Sequence, residues 1–258
     1  MDIKPLNRGL SFTETLFESY LIEGSTSFNE LLNVYHKYKK ENPDKTIILT
    51  LDDLEQTEYT STHSTMFHDL DETEGYDLSG LDRACFENNE HIGYLSTPSE
   101  FFIRKENFLK KIENVDFLSA CEKGLTIEED EVSILEKINL SPFDYLDKRI
   151  ILKIVPVEKP YQGILGFPNG YFASDLNPFE NYALAKHLFE KYDYELFGIG
   201  ASLLGFIRND SLAKEQVKEL ISDLSELYSC NETVLSKLQE PIQNSKQLFL
   251  KYIEYLQK

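Results

Sequence analysis

Tyr194-Glu-Leu-Phe-Gly-Ile-Gly200, then Ala201-Ser202, then Leu203-Leu-Gly-Phe-Ile-Arg208 is the stretch that decides the fold. Two short apolar runs flank a Gly-Ala-Ser break, which is the pattern of a β-hairpin. Their alternation predicts that Leu196, Ile199, Leu204 and Phe206 are among the most buried residues, on a sheet face that meets helices.

Both flanks of the hairpin read as helices. Upstream, Asn177 is placed to cap a helix, with Pro178 at the first helical position and Glu180 at the third. Phe179, Tyr182, Ala183, Leu188, Phe189 and Tyr192 supply its inner stripe. Downstream, a helix follows Asp210-Ser211 and carries Ala213, Val217, Leu220, Leu224, Leu227 and Tyr228 on one face. Arg149 to Val157 reads as a further strand, and Pro156 puts its end at an edge or outside the ladder. A Gly/Pro loop from Gly163 to Tyr171 joins it to the helix at 178, and Pro241 with a last helical stretch closes the chain. The expected class is α/β or α+β, a mixed sheet covered by helices. Residues 149–258 form the expected C-terminal unit, strand-loop-helix-hairpin-helix.

Residues 1–148 are expected to form a separate α/β region. Ser27-Phe28-Asn29-Glu30 has capping-box spacing, followed by Phe28, Leu31, Leu32, Tyr35 and Tyr38 at helical intervals. Thr46 to Leu51 then reads as a strand buried on both faces. From Asp52 to Glu90 the chain holds twelve acids and one base, Arg83, a balance of −11. Rich in Ser and Thr and poor in periodic apolar residues, this stretch is expected to be a long acidic surface loop. Beyond it, His91 to Leu95 suits a strand, Thr97 to Glu100 a helical turn, and Ile127 to Ile138 an acidic amphipathic helix.

The 258 residues include 45 acids and 26 bases, a formal charge of −19. Such a charge repels phosphate backbones, so nucleic acid is not an expected direct ligand. It favours a basic partner. No apolar run approaches the ~18 residues of a membrane-spanning helix, so no membrane is expected. Met1-Asp2-Ile3-Lys4-Pro5 lacks the basic-then-apolar start of a secretory signal. Cys85, Cys121 and Cys230 have no metal-ligand spacing and leave an odd thiol, which suits a reduced, cytoplasmic setting.

Four segments recur in a known order: Val155-Pro-Val-Glu158, Gly166-Phe-Pro-Asn-Gly-Tyr171, Glu190-Lys-Tyr-Asp-Tyr-Glu-Leu196, and Leu227-Tyr-Ser-Cys-Asn-Glu232. In this order and spacing, residues 149 to about 255 resemble the bacterial domain of unknown function 4253 family. Phe167, Tyr171 and Phe172 stand where that family usually carries tryptophan, and Ser229 interrupts its Tyr-Cys element. The resemblance implies a fold and names no activity.

Motifs for chemistry are few. Gly198-Ile-Gly200 lacks the third glycine of a dinucleotide loop, because residue 203 is leucine and a strand follows. Asp69, Asp71, Thr73 and Asp77 fall at calcium-loop positions, but Glu74 replaces the required glycine and Gly80 the closing glutamate. No Gly-x-Ser-x-Gly elbow and no local Cys/His pair occurs. His187 reads as a structural histidine on its helix. His63, His68, Asp69 and Asp71 are the one dense set of metal-type ligands, and a metal-assisted hydrolase built on them is the alternative function.

The leading expectation is a non-catalytic binding protein without a cofactor. The acidic stretch is interleaved with Tyr59, Phe67, Tyr76 and Phe86, and aromatic anchors among carboxylates suit a basic protein surface. The expected partner-binding residues are Asp52, Asp53, Glu55, Glu58, Phe67, Asp69, Asp71, Glu72, Glu74, Tyr76 and Asp77. In its most concrete form the protein is a bacterial toxin immunity protein, its partner a secreted effector or nuclease toxin.

Overall fold

The computed structural model describes residues 1–6 and 16–256. In chain order the first elements are β1 (Asp2–Pro5), β2 (Glu18–Glu23), α1 (Phe28–Glu41), β3 (Thr46–Thr50) and α2 (Leu54–Phe67). A small ribbon follows, β4 (Phe86–Glu87) with β5 (Glu90–His91), then α3 (Phe101–Lys111), α4 (Phe117–Glu122) and α5 (Glu129–Leu140). The last third holds β6 (Arg149–Val155), α6 (Pro178–Tyr192), β7 (Glu195–Ile199), β8 (Leu203–Ile207), α7 (Lys214–Leu227), α8 (Gln239–Asn244) and β9 (Gln247–Lys251).

One seven-stranded mixed sheet organises them, in the order β1-β2-β6-β3-β7-β8-β9. Only β3 and β7 run parallel, and every other neighbouring pair in that sheet is antiparallel. The class is therefore mixed α/β, as the alternation of elements predicts. The hairpin is β7–β8, and Leu196, Ile199, Leu204 and Phe206 are all fully buried. Asn177 caps α6, accepting from the N–H groups of Phe179 and Glu180 at 2.9 and 3.0 Å.

Three sequence expectations need correction. Strands from either side of residue 148 alternate in the sheet, so the two regions share one core rather than dividing there. β6 lies in one sheet with the hairpin, with β3 between them. His91 to Leu95 contributes only the end of a two-residue strand. The closing stretch is not helical throughout: after the short α8 it becomes β9, an edge strand on β8. That edge is covered by α5, whose Asn139 side chain bonds both the N–H and the C=O of Phe249, at 2.8 and 3.0 Å.

Lys251 of β9 is fully buried and pairs with Glu131 of α5 at 2.5 Å. Breaking such a pair by truncating one member strands a charge in the core. At the same end of the sheet, Asp52 takes the turn of the hairpin. Its carboxylate accepts from Ser202 N–H at 3.0 Å, from the Ser202 hydroxyl, and from Leu203 N–H at 3.3 Å. Gly200 passes so close that a Cβ there would lie 1.8 Å from Asp52 Oδ1.

Candidate protein-interaction site

The expected acidic loop holds a fourteen-residue helix, α2. Asp53, in the left-handed region at φ 39°, caps it by accepting from Gln56 N–H at 3.0 Å. The inner face of α2 is made of Thr57, Thr60, Ser61, Ser64 and Thr65, all buried. Their spacing is helical, but the residues are hydroxylic, so a search for an apolar stripe finds none. Two of the hydroxyls turn back on the helix itself: Thr57 Oγ1 donates to Asp53 O at 2.8 Å and Thr60 Oγ1 to Gln56 O at 2.9 Å.

The outer face carries the large apolar side chains. Tyr59, Met66 and Phe67 are 48%, 68% and 69% exposed. Tyr59 packs on His63, with ring centroids 4.2 Å apart, and His63 packs on Tyr171 at 5.2 Å. Phe67 approaches Tyr171 at 6.2 Å, and Tyr171 lies 5.5 Å from the half-exposed Phe172. The Gly/Pro loop ahead of α6 thus extends an aromatic row begun on α2. Gly170, at φ +112°, permits this: a Cβ there would sit 2.1 Å from Leu176 O.

The acids of the stretch divide into two groups. Several are consumed by the fold. Asp52 holds the hairpin turn and is half-buried; burial pushes its carboxyl up to about 6, against the lowering effect of its hydrogen bonds. Asp71 receives a two-pronged contact from the fully buried Arg104, at 2.7 and 2.6 Å. Glu72 and Asp77 accept from neighbouring backbone N–H groups. The others face outward: Glu55, Asp69 and Glu74 are exposed, and their carboxylates make no hydrogen bond or ion pair among the described residues. Glu58 is half-exposed on the helix.

Two sequence expectations change here. Tyr76 is not an outward anchor: its hydroxyl donates to Asn107 at 2.7 Å and receives Lys110 Nζ at 2.9 Å, tying the loop to α3. Asp52 and Asp71 likewise support the fold instead of the surface. Phe67 stays in the site, joined by Tyr59, Met66, Tyr171 and Phe172. Tyr59, His63 and Phe67 stand at helical spacing, a signal that the expectation of a loop passed over, and the adjoining Tyr171-Phe172 loop lies more than a hundred residues away.

The alternative metal set is not assembled. Among the described residues no group of three His, Cys, Asp or Glu side chains is placed to hold a metal. Asp71 is committed to Arg104, and His68 turns to the ring of Phe179 at 4.9 Å. Burial first, then Lys111, lowers the His68 pKa. His187 stacks on Phe117 at 3.9 Å and bonds Asp223 at 2.6 Å, a structural use. Burial raises all three thiols, Cys121 to about 11, so each is protonated at neutral pH.

No helix of the described residues is long and apolar enough to cross a membrane. No family model matches this chain, and no curated protein or solved structure matches it either.

Proposed function

We propose that this protein binds a basic protein through the outer face of α2 and the Tyr171-Phe172 loop. The single observation that carries the reading is the inverted chemistry of α2, which buries Ser and Thr and exposes Tyr59, Met66 and Phe67. A helix that only needed to pack would do the reverse. Clustered exposed aromatics beside Glu55 and Asp69 match the anatomy of a docking patch with a charged rim. The overall charge of −19 selects a cationic occupant. The most concrete form is a cytoplasmic immunity protein of a bacterium that occupies the cationic cleft of a secreted effector or nuclease toxin.

The test is binding kinetics at rising salt against a basic protein captured by this chain from the cells that make it. Association is expected to slow about ten-fold or more between low and high ionic strength. Reversing Glu55 and Glu74 to lysine should do the same at fixed salt, because neither carboxylate bonds another described residue. Tyr59→Ala and Phe67→Ala should instead speed dissociation, each by roughly thirty-fold, the scale of a 2 kcal/mol anchor. Binding that ignores salt, the charge reversals and both aromatic truncations refutes the reading.

A further inference from the structure

The outer face of α2 has an internal order. Glu55, Tyr59, His63 and Phe67 follow one another at intervals of four, so they form one stripe along the helix. The stripe is about 18 Å long at the helical rise of about 1.5 Å per residue. Tyr171 lies across it, against His63 at 5.2 Å and Phe67 at 6.2 Å. A carboxylate that bonds no other described residue stands at each end, Glu55 one turn before Tyr59 and Asp69 two residues after Phe67. Other rings of the molecule already have a cation: Lys153 lies over Phe167 at 3.8 Å, Lys110 over Tyr76 at 4.8 Å and Arg208 over Tyr194 at 5.5 Å. Among the described residues no lysine or arginine of this chain lies over Tyr59, Phe67, Tyr171 or Phe172.

The face of an aromatic ring is negative, and rings bracketed by carboxylates in a chain of −19 attract a cation. How open the rings are decides which one. Tyr59 and Phe67 are 48% and 69% exposed, so a lysine ammonium above them would keep its tightly held water and gain little. A guanidinium is flat and more weakly hydrated. It can lie on a ring while its N–H groups, which point outward in its own plane, reach sideways to a carboxylate. Glu55 stands one helical turn from Tyr59, the separation at which two side chains on a helix surface meet. The stripe thus offers both halves of an arginine site, a ring to stack on and an acceptor beside it.

We infer that the occupant of this face is an arginine-rich segment of the partner, with guanidinium groups stacked on Tyr59 and Phe67 and bonded by Glu55 and Asp69. The inference rests on the reading of α2 as the surface that meets a basic protein, and it adds which basic residue that surface selects. A lysine-rich segment is drawn by the same charge and held less tightly. Six extended residues span about 20 Å, enough to run the length of the stripe.

Isothermal titration of the full chain with hexa-arginine and hexa-lysine peptides at about 150 mM salt tests this. The two peptides carry equal charge, so long-range attraction is the same for both. Hexa-arginine should bind about five-fold more tightly or better. Replacing both rings, Tyr59→Leu with Phe67→Leu, should bring the two peptides to within about two-fold of each other and leave hexa-lysine little changed. Tyr59→Phe with Phe67→Tyr keeps the rings and should keep the preference. Glu55→Gln, on an exposed side chain, should weaken hexa-arginine more than hexa-lysine and gives a second reading should the leucine pair fold poorly. Equal, salt-sensitive binding of the two peptides overturns the arginine assignment and leaves the basic-partner reading standing. Heat from neither peptide, or a preference that survives both the leucine pair and Glu55→Gln, overturns the assignment as well.

Discussion

Helices α2 and α7 have the same length, fourteen residues, and bury positions at the same intervals with opposite chemistry. In α7 the buried row is Val217, Leu220, Ile221 and Leu224; in α2 it is Thr57, Thr60, Ser61 and Ser64. Spacing alone turns one face of each helix inward. The side chains on that face decide how the helix is held. Each aliphatic residue of α7 contributes on the order of 1.5–3 kcal/mol by leaving water, and a hydroxyl contributes far less. So α7 is held along its middle and α2 at its ends. At the start of α2, Leu54 is buried and its N–H donates to Asp147 at 2.9 Å. Past its end, Leu70 is fully buried, Asn107 donates to the carbonyls of Leu70 and Glu72 at 3.2 and 2.8 Å, and Arg104 grips Asp71. A helix clamped at both ends is free to spend its outer face on something other than stability.

The largest effect should come from opening one clamp. Asp71→Ala removes both charge-assisted bonds that the buried Arg104 guanidinium makes to it, and at about 1.5–3 kcal/mol each the expected cost is about 3–5 kcal/mol in urea unfolding. Glu74→Ala, three residues away and exposed, should cost less than about 0.5 kcal/mol. Equal losses from the two variants would show that Arg104 does not hold the end of α2. Next in size is the middle of α7. Leu224→Ala removes a fully buried side chain and should cost about 3 kcal/mol. A loss under about 1 kcal/mol would mean that α7 is not held by its apolar row.

How much of this the sequence disclosed follows from the same contrast. The row in α7 and the cap of α6 at Asn177-Pro178 speak in residues whose preferences are local and strong, so both helices and the hairpin between them could be read directly. α2 could not, because Ser and Thr are common in loops and a hydroxylic inner face has no hydrophobic signature. The strand order was hidden for another reason. β3 pairs with β6 and β7 across a hundred residues or more, and no local pattern encodes a partner that far away. β9 is five residues long and follows a helical segment, too short to show its period. The site was half visible: Phe67 and the carboxylates stood out, whereas the engagement of Asp52, Asp71 and Tyr76 depended on Ser202, Arg104 and Asn107, brought close only by folding.

A smaller effect concerns the clamp beneath α2. Because burial raises the Asp52 carboxyl to about 6, the folded protein keeps this proton where the unfolded chain, near 3.9, has lost it. The stabilisation is fully present below about pH 4 and disappears as pH rises through 6. Its size is about 2 kcal/mol. In Asp52→Asn the one remaining oxygen can keep the Ser202 N–H bond, Leu203 N–H faces the amide nitrogen at a cost that does not vary with pH, and the titration is gone. Urea unfolding from pH 4 to 7 should therefore show the parent losing about 2 kcal/mol relative to the variant. A constant difference across that range would sink the assignment.

The smallest effect probes the inner face of α2 itself. Ser64 Oγ is buried without a hydrogen-bond partner, so its hydroxyl contributes a desolvation cost and no compensating bond. Alanine is also the better helix former by about 0.5 kcal/mol. Ser64→Ala should accordingly stabilise the protein by about 0.5–1 kcal/mol and leave partner binding unchanged, since the residue points inward. Phe67→Ser should change stability by less than about 0.5 kcal/mol, because its ring is 69% exposed, yet weaken partner binding. In α7 the equivalent exchanges would act the other way round, with inward changes destabilising and outward ones silent. If Ser64→Ala proved destabilising by more than about 1 kcal/mol, the hydroxyl would be bonding something in solution. The row of Ser and Thr would then be a polar network with its own role, and α2 would be held along its middle after all.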